Sequence, residues 1–125
     1  TARTNLGGGA NKHILEIRDI DLISANAEVK RVVSPVAGTI DQIYSVINGA
    51  LTVGDATLTG KIGAVAITTG VLTITQAGSA AGDVDSAAPT AAKTVAAGDV
   101  ISFTVGGTQT AAKLADVTIL ITPTA

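Results

Sequence analysis

One histidine, His13, stands in a chain of 125 residues that has no cysteine. Nucleophilic catalysis needs a nucleophile, a base and an orienting group held together in the fold. The serines and threonines are numerous, but none sits in a nucleophile-elbow setting, so His13 reads as a partly exposed structural residue. The carboxylates offer two pairs. Asp19 and Asp21 are spaced to share one face of a strand, and Asp83 and Asp85 recur at the same spacing in a small-residue loop. Paired acids serve calcium binding or general acid–base work. Calcium takes roughly six to eight oxygens, however. The stretch 82–86 offers two carboxylates and no downstream glutamate to close a cage. A solvated turn is the expectation there, with a weak calcium site as the sharper alternative. Gly7-Gly8-Gly9 follows no strand and opens no helix, which excludes a phosphate cradle. Lys30-Arg31 suits an acidic partner surface or, more simply, a solvated strand. The expectation is no catalytic, cofactor-binding or metal-ligating residue, and no cofactor.

Composition narrows the function classes further. Hydrophobic residues make up 46% of the chain and charged residues 14%, while aromatics are limited to Tyr44 and Phe103. Two rings make no stacking platform for bases or sugars. The eight basic residues are scattered and the formal net charge is -2, so no electrostatic footprint for nucleic acid or anionic lipid exists. The amino-terminal residues lack the apolar core of a signal peptide. No segment approaches the length of a membrane-spanning helix. Nucleic acid, membrane and small-molecule substrate are therefore not expected as partners.

The elements that must carry these residues read as short strands. Residues 1–12 are expected to be a flexible arm, because the glycine run loses the most backbone entropy on ordering. Residues 13–125 form one domain by length. Strand patterns cover 13–22, interrupted near Asp19, and 29–33, stopped at Ser34-Pro35. Ile40, Ile43, Tyr44 and Ile47 fall at helical spacing, yet β-favouring Ile, Val, Tyr and Thr tip residues 39–47 to strand. Asn48-Gly49 predicts a hairpin into a strand at 50–53. Alternation resumes at 56–62, and Thr68-Thr69-Gly70 predicts a hairpin between 65–67 and 72–74. Residues 76–93 read as a long loop with one helical turn after Pro89. Strands follow at 100–105 and 116–122, with Gly106-Gly107 as a turn. Ala-Ala-Gly-Asp-Val-x-Ser at 80–86 recurs at 96–102, too short an echo for a repeat architecture. Both copies predict turns, with glycine at positive φ and aspartate bonded to nearby amides. Eight to nine short strands of this kind imply an all-β fold, a single β-sandwich or barrel-like domain.

The stretch Ser-Pro-Val-Ala-Gly-Thr-Ile-Asp-Gln-Ile-Tyr-Ser-Val-Ile-Asn-Gly at 34–49, followed by Asp-Ala-Thr-Leu-Thr at 55–59, resembles the head-decoration (cement) proteins of tailed bacteriophages. Residues 70–75, 78–86 and 89–101 carry the resemblance on, so that it covers roughly residues 29–122. Its motifs are turn and strand signatures without chemistry. The resemblance implies a structural virion protein on the outer capsid surface, made in the host cytoplasm. It also implies a homotrimer that clamps neighbouring subunits of the major capsid protein, with the arm ordering on the shell. No family binding residue transfers to a named position. The alternatives are another phage structural β-domain, in a head fibre or tail, and a secreted carbohydrate-binding or adhesin module.

Overall fold

The computed structural model describes residues 12–124. Of the expected arm, residues 1–11 lie outside that range. The described chain is all-β, with nine antiparallel strands: β1 (His13–Asp21), β2 (Val29–Val33), β3 (Gly38–Ile47), β4 (Ala56–Ile62), β5 (Val65–Ile74), β6 (Val84–Ala87), β7 (Thr94–Val95), β8 (Val100–Gly107) and β9 (Leu114–Pro123). One sheet has the order β1-β9-β3-β6, with β7 beside the other end of β3; the second has the order β2-β8-β4-β5. Apart from the neighbours β4–β5 and β6–β7, successive strands cross between the sheets, so each sheet interleaves both halves of the chain. That is the jelly-roll form of the β-sandwich.

The alternation that predicts strands also builds the core. Ile101, Phe103 and Val105 point inward on β8, as do Val117, Ile119 and Ile121 on β9 and Leu72 and Ile74 on β5. With one buried ring, Phe103, the core is filled by branched aliphatics, which suit a pleated surface. At about 25 cal/mol per Å² of buried apolar surface, these side chains supply the main term favouring the fold.

Three bulges explain where simple alternation fails. Pairing of β3 with β9 shifts between Ile40 and Gln42, so one extra residue separates the inward-facing Ile40 and Ile43. The helix-like spacing of residues 40–47 is therefore a bulged strand, and Tyr44 faces outward. On β1 the shift lies between Ile17 and Ile20, where Asp19 takes φ 57°. Both isoleucines stay buried because Arg18 and Asp19 swing out together. On β5 the shift falls opposite Gly60, between Thr59 and Lys61. Residues 67–70 bend there, with Thr69 at φ 57°. A Cβ on Gly70 would lie 2.6 Å from the Ile67 Cβ, so only glycine permits that bend.

Several expected turns fall elsewhere. Asn48-Gly49 makes no hairpin, because β9 and β6 already flank β3 on both sides. Residues 48–55 instead cross to the second sheet, and buried Leu51 caps the core on the way. Thr68-Thr69-Gly70 is the bulge within β5 rather than a turn. The real hairpin is Gly63-Ala64, joining Ile62 to Val65. Gly63 takes φ 59° at the first central position, as a type II′ turn requires. The expected loop at 76–93 contains β6, and no helical turn follows Pro89; Ala91 bridges Thr68 instead. Strand β8 runs through Gly106-Gly107, and the chain reverses over 108–113.

Candidate interaction surface

The residues singled out for chemistry are scattered through this sandwich. His13 opens β1 opposite Ile121. Asp19 and Asp21 do not form a simple pair on one strand face, because the bulge intervenes. The Asp19 amide donates to Asp116 Oδ1 at 3.0 Å. Asp21 accepts from the Ile23 amide at 2.9 Å and from Asn26 Nδ2 at 2.8 Å, which ties down the single 3-10 turn (Ser24–Asn26). Those two bonds, the Ile23 amide first, hold the Asp21 carboxyl below the usual carboxylate range. Among the described residues, no group of three or more His, Cys, Asp and Glu side chains is placed to hold a metal ion.

Asp83 and Asp85 have separate jobs. The Ala80 amide donates to Asp83 Oδ2 at 2.8 Å, closing the turn that precedes β6. Asp85 lies one register step inside β6, opposite Ser45. Both side chains face the sandwich interior, where partial burial and then the Asp83 charge push the Asp85 carboxyl up. The Ser45 hydroxyl is buried without a hydrogen-bond partner. Lys30 approaches Glu28 at 3.9 Å, and Arg31 projects from the outer face of β2 opposite Ser102.

The outer faces are largely uncharged. On the first sheet, register places Tyr44 between Thr118 and Ser86, and Val46 between Asp116 and Val84. Tyr44, Val46, Val84, Asp116 and Thr118 line a shallow hollow of about 190 Å³. Apart from Asp116 at the border of that hollow, charge on this face lies toward β1 and the start of β3. There Lys12 bonds Asp41 and Thr122 at 2.7 Å each, while Arg18 pairs with Glu16 at 2.8 Å. Lys12, then the Thr122 hydroxyl, holds the Asp41 carboxyl below its ordinary value. On the second sheet one row runs Val29, Thr104, Thr59, Val71. Such threonine and valine faces offer area and shape rather than reactive groups.

Sequence reasoning missed Gln109, which is 1% exposed. Its Nε2 donates to the Leu22 carbonyl at 2.6 Å and to the Ala111 carbonyl at 2.9 Å. Its Oε1 accepts from the amides of Ala111 and Thr52. One side chain thus joins three loops at one end of the sandwich, a role that no local pattern announces. Strand β6 was also missed, although the echo of residues 80–86 in 96–102 was a usable signal, since the second copy leads into β8.

No protein-family model matches the chain, and no curated protein matches it. Solved structures share the fold at low identity. A glycoside hydrolase family 43 arabinoxylan arabinofuranohydrolase from Bacillus subtilis matches with TM-score 0.56 and 15% identity over 87% of this chain. The chain spans only 21% of that enzyme's length. The C-terminal CBM6 of LamC, a laminarinase from Zobellia galactanivorans, matches with TM-score 0.50 and 10% identity, covering 87% of this chain and 98% of the module. The vertex protein P5 of PRD1 matches with TM-score 0.50 and 14% identity, covering 92% of this chain and 99% of that chain. At these identities the likeness establishes the sandwich fold alone. Of these three, the CBM6 module and the PRD1 vertex protein are matched along nearly their whole length, and the enzyme is not.

Proposed function

We propose that this chain is a structural virion protein that decorates the outside of a tailed-phage icosahedral capsid and stabilises it, as trimers that clamp neighbouring major-capsid subunits. The observation that carries the reading is the pair of threonine- and valine-rich outer faces, on which Tyr44, Val46 and Val84 form an apolar strip. A surface of this kind associates by area and complementarity. The sequence resemblance over residues 29–122 supports it. So does the fold shared along almost the full length of a vertex protein. Repetition over a lattice amplifies a weak single contact by about 10²–10⁴ through avidity.

Mixing the purified protein with expanded, undecorated phage shells tests the reading. Co-sedimentation, with knobs at threefold or quasi-threefold positions in micrographs, is the expected result. A protein that stays in the supernatant overturns it, and tubes or fibres in the micrographs move the role to a tail or head fibre. A second reading, a carbohydrate-binding module, has the CBM6 likeness behind it. Tyr44 is the one exposed aromatic ring among the described residues, which gives sugar stacking a single contact. Retention on a glycan array would favour that reading.

A further inference from the structure

Six of the eleven exposed large apolar side chains lie on edge strands, Ile14 on β1 among them. Val29 and Val33 lie on β2, Val65 and Val71 on β5, and Val84, at 63% exposure, on β6. Edge strands of soluble proteins are usually guarded by lysine, proline or a covering loop. Strand β6, with the sequence Val-Asp-Ser-Ala, carries neither lysine nor proline.

The hydrogen-bond phase says which backbone groups these edges offer. The Val105 amide donates to the Glu28 carbonyl at 2.9 Å and the Ser34 amide to the Asp99 carbonyl at 2.8 Å. In an antiparallel pair, alternate residues bond to the partner strand. Residues 28, 30, 32 and 34 therefore face β8, and the N–H and C=O groups of Val29, Arg31 and Val33 point to the open edge. By the same rule the Ile47 amide, donating to the Asp83 carbonyl at 3.2 Å, turns Asp83, Asp85 and Ala87 toward β3. The backbone groups of Val84 and Ser86 then face outward. In both sets the residues with open backbone groups also carry outward side chains, so joining the two edges continues the outer surfaces without a mismatch of face. Charge distinguishes the edges. Arg31 on β2 makes no ion pair among the described residues, while Lys30 lies 3.9 Å from Glu28, and Asp83 and Asp85 stand at β6. Two β2 edges would repel each other, as would two β6 edges; one of each attracts.

We infer that copies of this chain associate head to tail, with the β2 edge of one copy adding to the β6 edge of the next. A contact between two different surfaces closes into a ring when its rotation permits. The inference deepens the trimeric reading above and rests on it for the number of copies alone.

Light-scattering mass measurements on two edge variants test it. Ser86→Pro removes an open N–H from β6, and Arg31→Pro removes one from β2; neither deletes a bond within the sheet. The unaltered protein is expected at a multiple of 12.3 kDa. Each variant is expected at the single-copy mass with its circular dichroism unchanged. Mixed, the two variants still own one intact edge each and should form a two-copy complex. If a proline variant fails to fold, Val84→Lys and Val33→Glu, each of which sets like charge against the opposite edge, replace the pair. Val53→Lys, on a loop away from both edges, should keep the parent mass. A single-copy parent, variants that keep the parent mass, or a mixture that stays at single-copy mass each overturn the inference. Shell binding is scored separately. Rings that ignore capsids sink the capsid reading alone, and single copies that bind capsids sink the ring alone.

Discussion

The amide of Gly98 donates to the carbonyl of Ser34 at 2.7 Å, and Ser34 returns a bond from its own amide to the Asp99 carbonyl at 2.8 Å. Residues 80–83 repeat this arrangement on the other sheet. There the Gly82 amide donates to the Ile47 carbonyl at 2.7 Å, and the Ile47 amide to the Asp83 carbonyl at 3.2 Å. In each copy the aspartate Oδ2 also accepts from the first alanine amide at 2.8 Å. One four-residue turn is thus used twice, once to start β6 beside β3 and once to start β8 beside β2.

That equivalence predicts matched losses. Gly82 and Gly98 take φ 91° and 93°, and a Cβ at either would meet nothing within 4 Å. Backbone strain is then the only cost of Gly82→Ala or Gly98→Ala, about 1–3 kcal/mol each. Chemical denaturation should show similar shifts for the two variants. A large loss for one and none for the other would break the equivalence.

Gln109→Leu should be among the most damaging polar substitutions. It leaves the carbonyl of Leu22 and the amides of Ala111 and Thr52 without the bonds described above. Each buried group so stranded costs about 1–3 kcal/mol. A fall in Tm larger than that of an exposed control such as Thr110→Ala is expected. A Tm within a degree or so of the parent would remove Gln109 from its role.

Ser45→Ala should leave stability unchanged or raise it, because the hydroxyl is buried without a partner. Denaturant midpoints for the parent and the variant decide the matter. A clear loss would mean that the hydroxyl is bonded in solution.

The carboxylates give stability an acid dependence of two signs. Asp85 has its folded pKa raised by burial and by Asp83. Its charged form therefore opposes folding once pH climbs through the ordinary carboxylate value, and Asp85→Asn should stabilise at neutral pH. That gain should vanish below the ordinary value, where Asp85 is protonated whether folded or not. Asp41 and Asp21 have lowered folded values. Their contribution is present above the ordinary value and is lost as pH falls through the folded one. Asp41→Asn should accordingly destabilise at neutral pH and matter least in strong acid. Melting curves from pH 2 to 7 for the two variants should diverge from the parent in opposite directions.

The sequence by itself determined the class of fold and the place of most strands. Period-two burial in Val117, Ile119 and Ile121 needs only a pleated strand with one face in the core, and a sequence records that directly. The turns at 80–83 and 96–99 were legible because positive φ selects glycine locally and the aspartate bonds within its own turn. What lay beyond reach depended on partners distant in the chain. Whether Ile40, Ile43 and Ile47 belonged to a helix or a bulged strand was settled by β9, which lies beside β3 and absorbs the extra residue at Asp41. Asn48-Gly49 has hairpin chemistry, but a hairpin needs an open edge, and β3 has none. Gln109 looks like any loop glutamine until Leu22, Thr52 and Ala111 gather round it. The lack of aromatic and thiol chemistry was plain from composition. Only the tertiary structure decided which strands became edges, because an edge is defined by the neighbour a strand lacks.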